Sequence, residues 1–112
     1  MHESGIAYDI YATSKRAAED NGAVKIKTIF VDVGAMAMMN PDQIEFMFET
    51  FVTDDPLFSE AKLVFTTVPP LAECTCGYSG SEIFVCPICG KLPHLVQGRG
   101  IFVKNIEIDV EE

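Results

Sequence analysis

The chain has 112 residues, nearly half of them apolar, with 17 acidic against 8 basic side chains and a net charge of -9. That length holds one compact domain and a small appendage, while the negative charge repels phosphate backbones, arguing against nucleic acid and for a basic protein partner. No apolar run approaches the roughly 18 residues of a membrane span, and no signal segment or lipidation signal is visible, so a soluble cytoplasmic protein with no membrane partner is expected.

The first element reads as a helix that Ser4 can cap and that runs to about Asp20, where Asn21-Gly22 ends it. Its Ile6, Ile10 and Ala17 turn toward the core, and Asp9, Lys15, Arg16 and Glu19 look outward. Val24 to Val33 follows as a strand rich in β-branched residues, with Val24, Ile26 and Phe30 on one parity and Ile29, Val31 and Val33 on the other. The apolar face therefore changes midway, as in a central strand covered on both sides in its second half or one bulged near Thr28.

Gly34 ends this strand, and Ala35 to Met39 connect it to a second helix with strong start signals. Asn40 suits the N-cap, Pro41 the first helical position, and Gln43 can complete a capping box. Ile44, Met47, Phe48 and Phe51 line one stripe, which reads as core rather than a cofactor pocket, and Asp54-Asp55-Pro56 stops the helix. Leu63 to Val68 forms a second strand and Ile101 to Val110 a third, with Phe102, Ile106, Ile108 and Val110 sharing a parity. The expected class is α+β, a small three-stranded antiparallel or mixed sheet with two helices, plus an inserted zinc-ribbon-like module.

That insertion is entered through the stiff Pro69-Pro70 and left through Gly98-Arg99-Gly100, read as flexible. It carries all four cysteines, Cys74-Thr75-Cys76 and Cys86-Pro87-Ile88-Cys89, with Gly77 and Gly90 directly after each pair. Two facing knuckles supply four convergent thiolates, and glycine tolerates the positive φ of a tight turn that frees backbone N–H groups for sulfur. Structural Zn(II) is the leading reading; iron in a rubredoxin-like site and two disulfides are the alternatives. Four thiolates close the coordination sphere, and no Ser-His-Asp, Cys-His or phosphate-cradling glycine pattern stands out, so no enzyme is expected.

The other end carries a second signal. In Met1-His2-Glu3 a free amine stands beside an imidazole, and with the next amide nitrogens these groups can chelate a metal preferring square-planar nitrogen, Ni(II) or Cu(II). The other histidine, His94, reads as a surface or packing residue.

Met1-His2-Glu3 opening an amphipathic helix, the strand ending at Gly34, a helix ending in Phe48-Glu49-Thr50-Phe51, Cys86-Pro87-Ile88-Cys89-Gly90 and the closing Gly98-Arg99-Gly100 strand occur in order over the whole chain. Together they resemble the HypA/HybF family of nickel-insertion chaperones for NiFe hydrogenase maturation. The resemblance implies that His2 and the main-chain nitrogens of Met1 to Glu3 receive Ni(II) as transient cargo, while Cys74, Cys76, Cys86 and Cys89 hold structural zinc. With the division at Pro69-Pro70 and the Gly98-Arg99-Gly100 exit, residues 1–70 and 99–112 are expected to be the nickel-binding domain and 71–98 the zinc-binding domain. The resemblance further implies a HypB-type GTPase and the hydrogenase large subunit as partners. The chain departs from the family pattern in its shortened Cys74-Thr75-Cys76, in Ala35 where a glutamate commonly follows the glycine, and in Asn40 where some members carry an acidic residue. An acidic zinc-ribbon adaptor that docks a protein partner is the alternative reading, and an iron-based electron carrier comes third.

Overall fold

Helix α1 spans Glu3–Asp20 in the computed structural model, which describes residues 3–111. Ser4 is thus inside the helix and is not its cap. The buried face is Ile6, Ala7, Ile10, Ser14 and Ala18, whereas Ala17 is only half-buried. Residues 6, 10, 14 and 18 stack at the spacing of a helical stripe, and Ser14 is accommodated because its Oγ donates to the Ile10 carbonyl at 2.6 Å.

Strand β1 (Ala23–Gly34) lies between β2 (Lys62–Val68) and the C-terminal strand, which we label β6 (Ile101–Val110). At one end Gly34 N–H donates to Gly100 O and Ala35 N–H to Val68 O; toward the other, Lys27 meets Asp109 and Glu60. These pairings run β2 with β1 and β6 against it, a mixed sheet, and the parallel pair is joined through helix α2 (Pro41–Val52) as a crossover requires. The buried side of β1 changes between Ile26 and Ile29, and β6 changes likewise, from half-buried Ile101 and Val103 to half-buried Ile106 and Ile108. Both neighbours switching favours cover passing from one face of a regular sheet to the other over a bulge in β1 alone. Phe102 accordingly does not share a covered face with Ile106 and Ile108; it is 67% exposed.

Asn40 caps α2, its Oδ1 accepting the N–H groups of Asp42 at 2.9 Å and Gln43 at 3.4 Å. Ile44 and Phe48 are buried, Met47 is half-buried and Phe51 is exposed, so the stripe narrows at the last turn. A 3₁₀ turn at Pro56–Phe58 places buried Phe58 edge-on to Phe48, with ring centroids 5.8 Å apart.

Asp55 fastens this turn to α1. Its Oδ1 accepts Leu57 N–H, and its Oδ2 accepts Lys15 Nζ at 2.8 Å and Tyr11 OH at 3.1 Å, so Lys15 is anchored and not simply outward. Burial would raise the Asp55 carboxyl, but the Lys15 ammonium, the Leu57 N–H and the Tyr11 hydroxyl outweigh it and hold it below its ordinary 3.8. A carboxyl lowered by folding stabilises above its unfolded value, and that contribution disappears as pH falls through the folded one. Acid unfolding followed by circular dichroism should therefore show a loss of stability below about pH 4 that is reduced in Asp55→Asn. An unchanged acid limb in that variant would dismiss the clasp as a source of acid sensitivity.

The insertion has a sheet of its own, β3 (Leu71–Glu73), β4 (Ser79–Gly80) and β5 (His94–Gln97), in the order β4-β3-β5 with antiparallel pairing. The chain divides into two compact units, one holding residues up to Val31, Met39–Thr66 and those from Phe102 onward, the other Asp32–Met38 and Thr67–Ile101. Within the second unit, Met36 N–H donates to Gly98 O at 2.8 Å, Gly34 N–H to Gly100 O at 2.8 Å, and Gln97 Nε2 to Pro69 O at 3.2 Å. The Gly98-Arg99-Gly100 exit is therefore pinned by main-chain bonds instead of flexible as its glycines suggested.

Candidate metal centre

Each cysteine pair sits on a turn closed by its own main chain. In the first, Cys74 N–H donates to Tyr78 O and Gly77 N–H to Cys74 O, both at 2.9 Å. In the second, Cys86 N–H donates to Lys91 O at 2.7 Å and Gly90 N–H to Cys86 O at 2.9 Å. Gly77 and Gly90 take φ of 105° and 77°, the conformation these turns demand and side chains resist. The first turn closes one residue sooner than the second, which is how the shorter pair fits the same role.

The turns bring the four sulfurs together. Cys74 and Cys89 Sγ lie 3.5 Å apart, as do Cys76 and Cys86 Sγ, and all four lie within 4.8 Å of one another. A tetrahedral ion with metal–sulfur bonds of about 2.3 Å needs sulfur–sulfur edges of about 3.8 Å, so the thiols already occupy the corners of such a site. No disulfide joins the four cysteines in this structure. Cys86 is buried, Cys74 half-buried, and Cys76 and Cys89 exposed.

Backbone N–H groups of Cys76 and Tyr78 point at the sulfurs of Cys74 and Cys76; those of Ile88 and Cys89 point at Cys86, and that of Lys91 at Cys89. These dipoles favour negative sulfur. Burial pushes the Cys86 thiol up, but the N–H groups of Cys89 and Ile88 and the thiols of Cys76 and Cys89 prevail and bring it down to about 6. Cys74 is also lowered, first by the Cys76 N–H and then by the Cys89 thiol. The Lys91 N–H favours the Cys89 thiolate, yet proton sharing with Cys74, burial, and neighbouring Cys86 and Cys76 push Cys89 up to about 12. Cys76 rises for the same kind of reason, the Tyr78 N–H being outweighed by Cys86, burial and Cys74. A soft divalent cation would displace the thiol protons, and the four sulfurs that could hold it would leave no open position for substrate.

The remaining candidates lie elsewhere. His94 opens β5 opposite Glu73, is exposed, and does not belong to the cysteine cluster. The Asn40 carbonyl oxygen is engaged as helix cap, and Ala35 N–H is bonded to Val68 O. Glu3 stands half-buried in the first turn of α1, whereas Met1 and His2 lie outside the described residues. Sequence reasoning overlooked Tyr78 and Lys91, which act on the sulfurs through the main chain; their signal is position, two residues after the second cysteine of each pair. No helix among the described residues is long and apolar enough to cross a membrane.

Residues 1–108 match the family model described as hydrogenase/urease nickel incorporation, metallochaperone, HypA. The hydrogenase maturation factor HypA of Methanocella arvoryzae is 38% identical over 114 residues, covering 98% of this chain and 100% of its own. That of Methanothermobacter thermautotrophicus is 34% identical over 123 residues, covering 100% of both chains. The solution structure of the Ni metallochaperone HypA from Helicobacter pylori superposes with a TM-score of 0.82 at 24% identity, covering 99% of this chain and 100% of that one, a likeness of fold.

Proposed function

The chain belongs to the HypA family of nickel metallochaperones of hydrogenase maturation, and from that membership we propose that it carries Ni(II) at its N-terminus and structural Zn(II) at its cysteines. The observation that carries this reading is the closed convergence of four sulfurs. A site with every position filled by thiolate suits a resident ion; a cargo ion needs ligands that let go. The amine of Met1, the amides of His2 and Glu3 and the His2 imidazole supply such a set. In this reading residues 1–70 and 99–112 form the nickel-binding domain and 71–98 the zinc-binding domain. The protein performs no chemical transformation, works in the cytoplasm, and passes nickel with a HypB-type GTPase to the hydrogenase large subunit.

His2→Ala, or two extra residues before Met1, should abolish nickel binding in calorimetry while one zinc per chain remains. Wild-type nickel affinity in either variant would move the cargo site elsewhere. Because an imidazole must be neutral to bind and its ordinary pKa is about 6.5, nickel affinity should fall as pH drops through about 6. An acidic zinc-ribbon adaptor is the second reading, favoured by Phe84, Ile88 and Leu92, each at least 70% exposed on the cysteine unit. A chain that binds zinc but no nickel would establish it.

A further inference from the structure

We propose that Tyr78 is a positioning residue of the metal centre, holding the shortened first knuckle in the geometry that four-sulfur coordination requires. The inference rests on the quartet holding a structural metal and concerns how this chain manages with Cys74-Thr75-Cys76. Tyr78 and Lys91 stand in corresponding places: each carbonyl closes its turn by accepting an N–H from the first cysteine of the pair, and each N–H points at the sulfur of the second. The two knuckles differ in the support left for the first sulfur. Cys86 Sγ accepts the N–H of Cys89, three residues on, at 3.5 Å, whereas in the shorter knuckle the residue at that offset, Gly77, gives its N–H to the Cys74 carbonyl.

The side chain of Tyr78 offsets that deficit. Its phenol oxygen accepts Glu82 N–H at 3.0 Å, and the half-buried ring lies against Gly80, where a β-carbon would sit 2.5 Å from that oxygen. Gly80 in turn is paired with Ala72, and Ser79 with Glu73, immediately before Cys74. The ring therefore closes the Cys74–Glu82 loop on itself and fixes the residue whose main chain bonds to both cysteines. Lys91, serving the longer knuckle, has an exposed side chain.

The test is zinc transfer from the full-length, zinc-loaded protein to a chromogenic chelator. Tyr78→Phe keeps the ring and removes the hydrogen bond; loss of an outer-shell partner of this kind weakens metal sites by roughly 10- to 100-fold, and zinc release about tenfold faster is expected. Gly80→Ala, which displaces the phenol oxygen, should accelerate release in the same direction, and Lys91→Ala should not. Inserting one glycine between Thr75 and Cys76 restores a Cys-x-x-Cys knuckle, and in that background Tyr78→Phe should have little effect. Wild-type release from Tyr78→Phe overturns the proposal, as does equal acceleration with and without the insertion. The Co(II)-loaded wild-type chain guards the premise: a spectrum lacking the tetrahedral four-thiolate signature would overturn the metal reading itself and the role of Tyr78 with it.

Discussion

Cys86→Ser should strip the proposed zinc from the cysteine quartet and unfold residues 71–98 while the helices stay folded. Cys86 is the quartet's only buried member, at 1% exposure, and its sulfur collects two main-chain N–H groups while its own N–H and carbonyl close the second knuckle. Little else holds this segment together. Phe84, Val85, Ile88, Leu92 and Val96 are all more than half exposed, and besides Cys86 its buried apolar side chains are the small Ala72 and Pro93. Burial on that scale cannot offset the ordering of some thirty residues. A structural zinc contributes roughly 10 to 16 kcal/mol of apparent binding free energy at neutral pH, far more than this packing can supply. The other unit buries Ile6, Ile10, Ile26, Ile29, Ile44, Phe48 and Phe58 and needs no such help. In heteronuclear NMR spectra, amides of residues 71–98 should collapse to narrow dispersion while those around Ile10, Ile44 and Phe48 remain dispersed. A strong chelator added to the wild-type chain should do the same. Retained dispersion around Ala72 and Leu95 after metal loss would show that packing, and not the ion, folds this segment.

What the sequence made legible follows from how local each signal is. Asn40-Pro41 and the cysteine pairs with their glycines act within one turn of chain, and the structure places them as read. The strands were visible because β-branched runs need little context, and even the change of buried face in β1 could be seen from parity. Misreadings arose where a distant partner decides. Ala17 reads as core-facing, but the Ser14 hydroxyl returns to the Ile10 carbonyl and lets the buried stripe run through 14 and 18 instead. Lys15 looks like a solvated charge, yet Asp55, forty positions away, claims it. Phe102 shares parity with Ile106 and Ile108, but cover passes to the other side of the sheet before it is reached. The four cysteines announce a metal; the short sheet that carries them consists of strands too small for any periodicity to reveal.

Gly98→Ala should destabilise the protein by about 2–6 kcal/mol, the sum of a strained backbone and an intruding methyl group. Gly98 has φ of 102°, where side chains are rarely tolerated, and a β-carbon there would lie 2.8 Å from Pro70 Cα. Neither neighbour can yield cheaply. Pro70 follows another proline whose carbonyl is held by Gln97 Nε2, and the Gly98 carbonyl is held by Met36 N–H. Gly34→Ala should be at least as damaging, since its β-carbon would overlap the Gly98 carbonyl and lie 2.7 Å from Arg99 N, breaking the bonds from Gly34 and Met36 to the closing segment. Gly5→Ala is the contrasting case: it lies in α1, nothing stands within 4 Å of the added methyl, and helix propensity favours alanine. That change should stabilise by about 0.5–1 kcal/mol. Urea midpoints for the three variants, read with zinc bound, separate the effects. If Gly98→Ala melts with the wild type, the crossing of the entry and exit segments is looser than its bond lengths indicate, and the glycines there serve flexibility after all. A fall at Gly34 and Gly98 beside a rise at Gly5 would instead show that the exit glycines are kept for close approach of main chain to main chain, since a general gain from lost chain freedom would have moved all three upward.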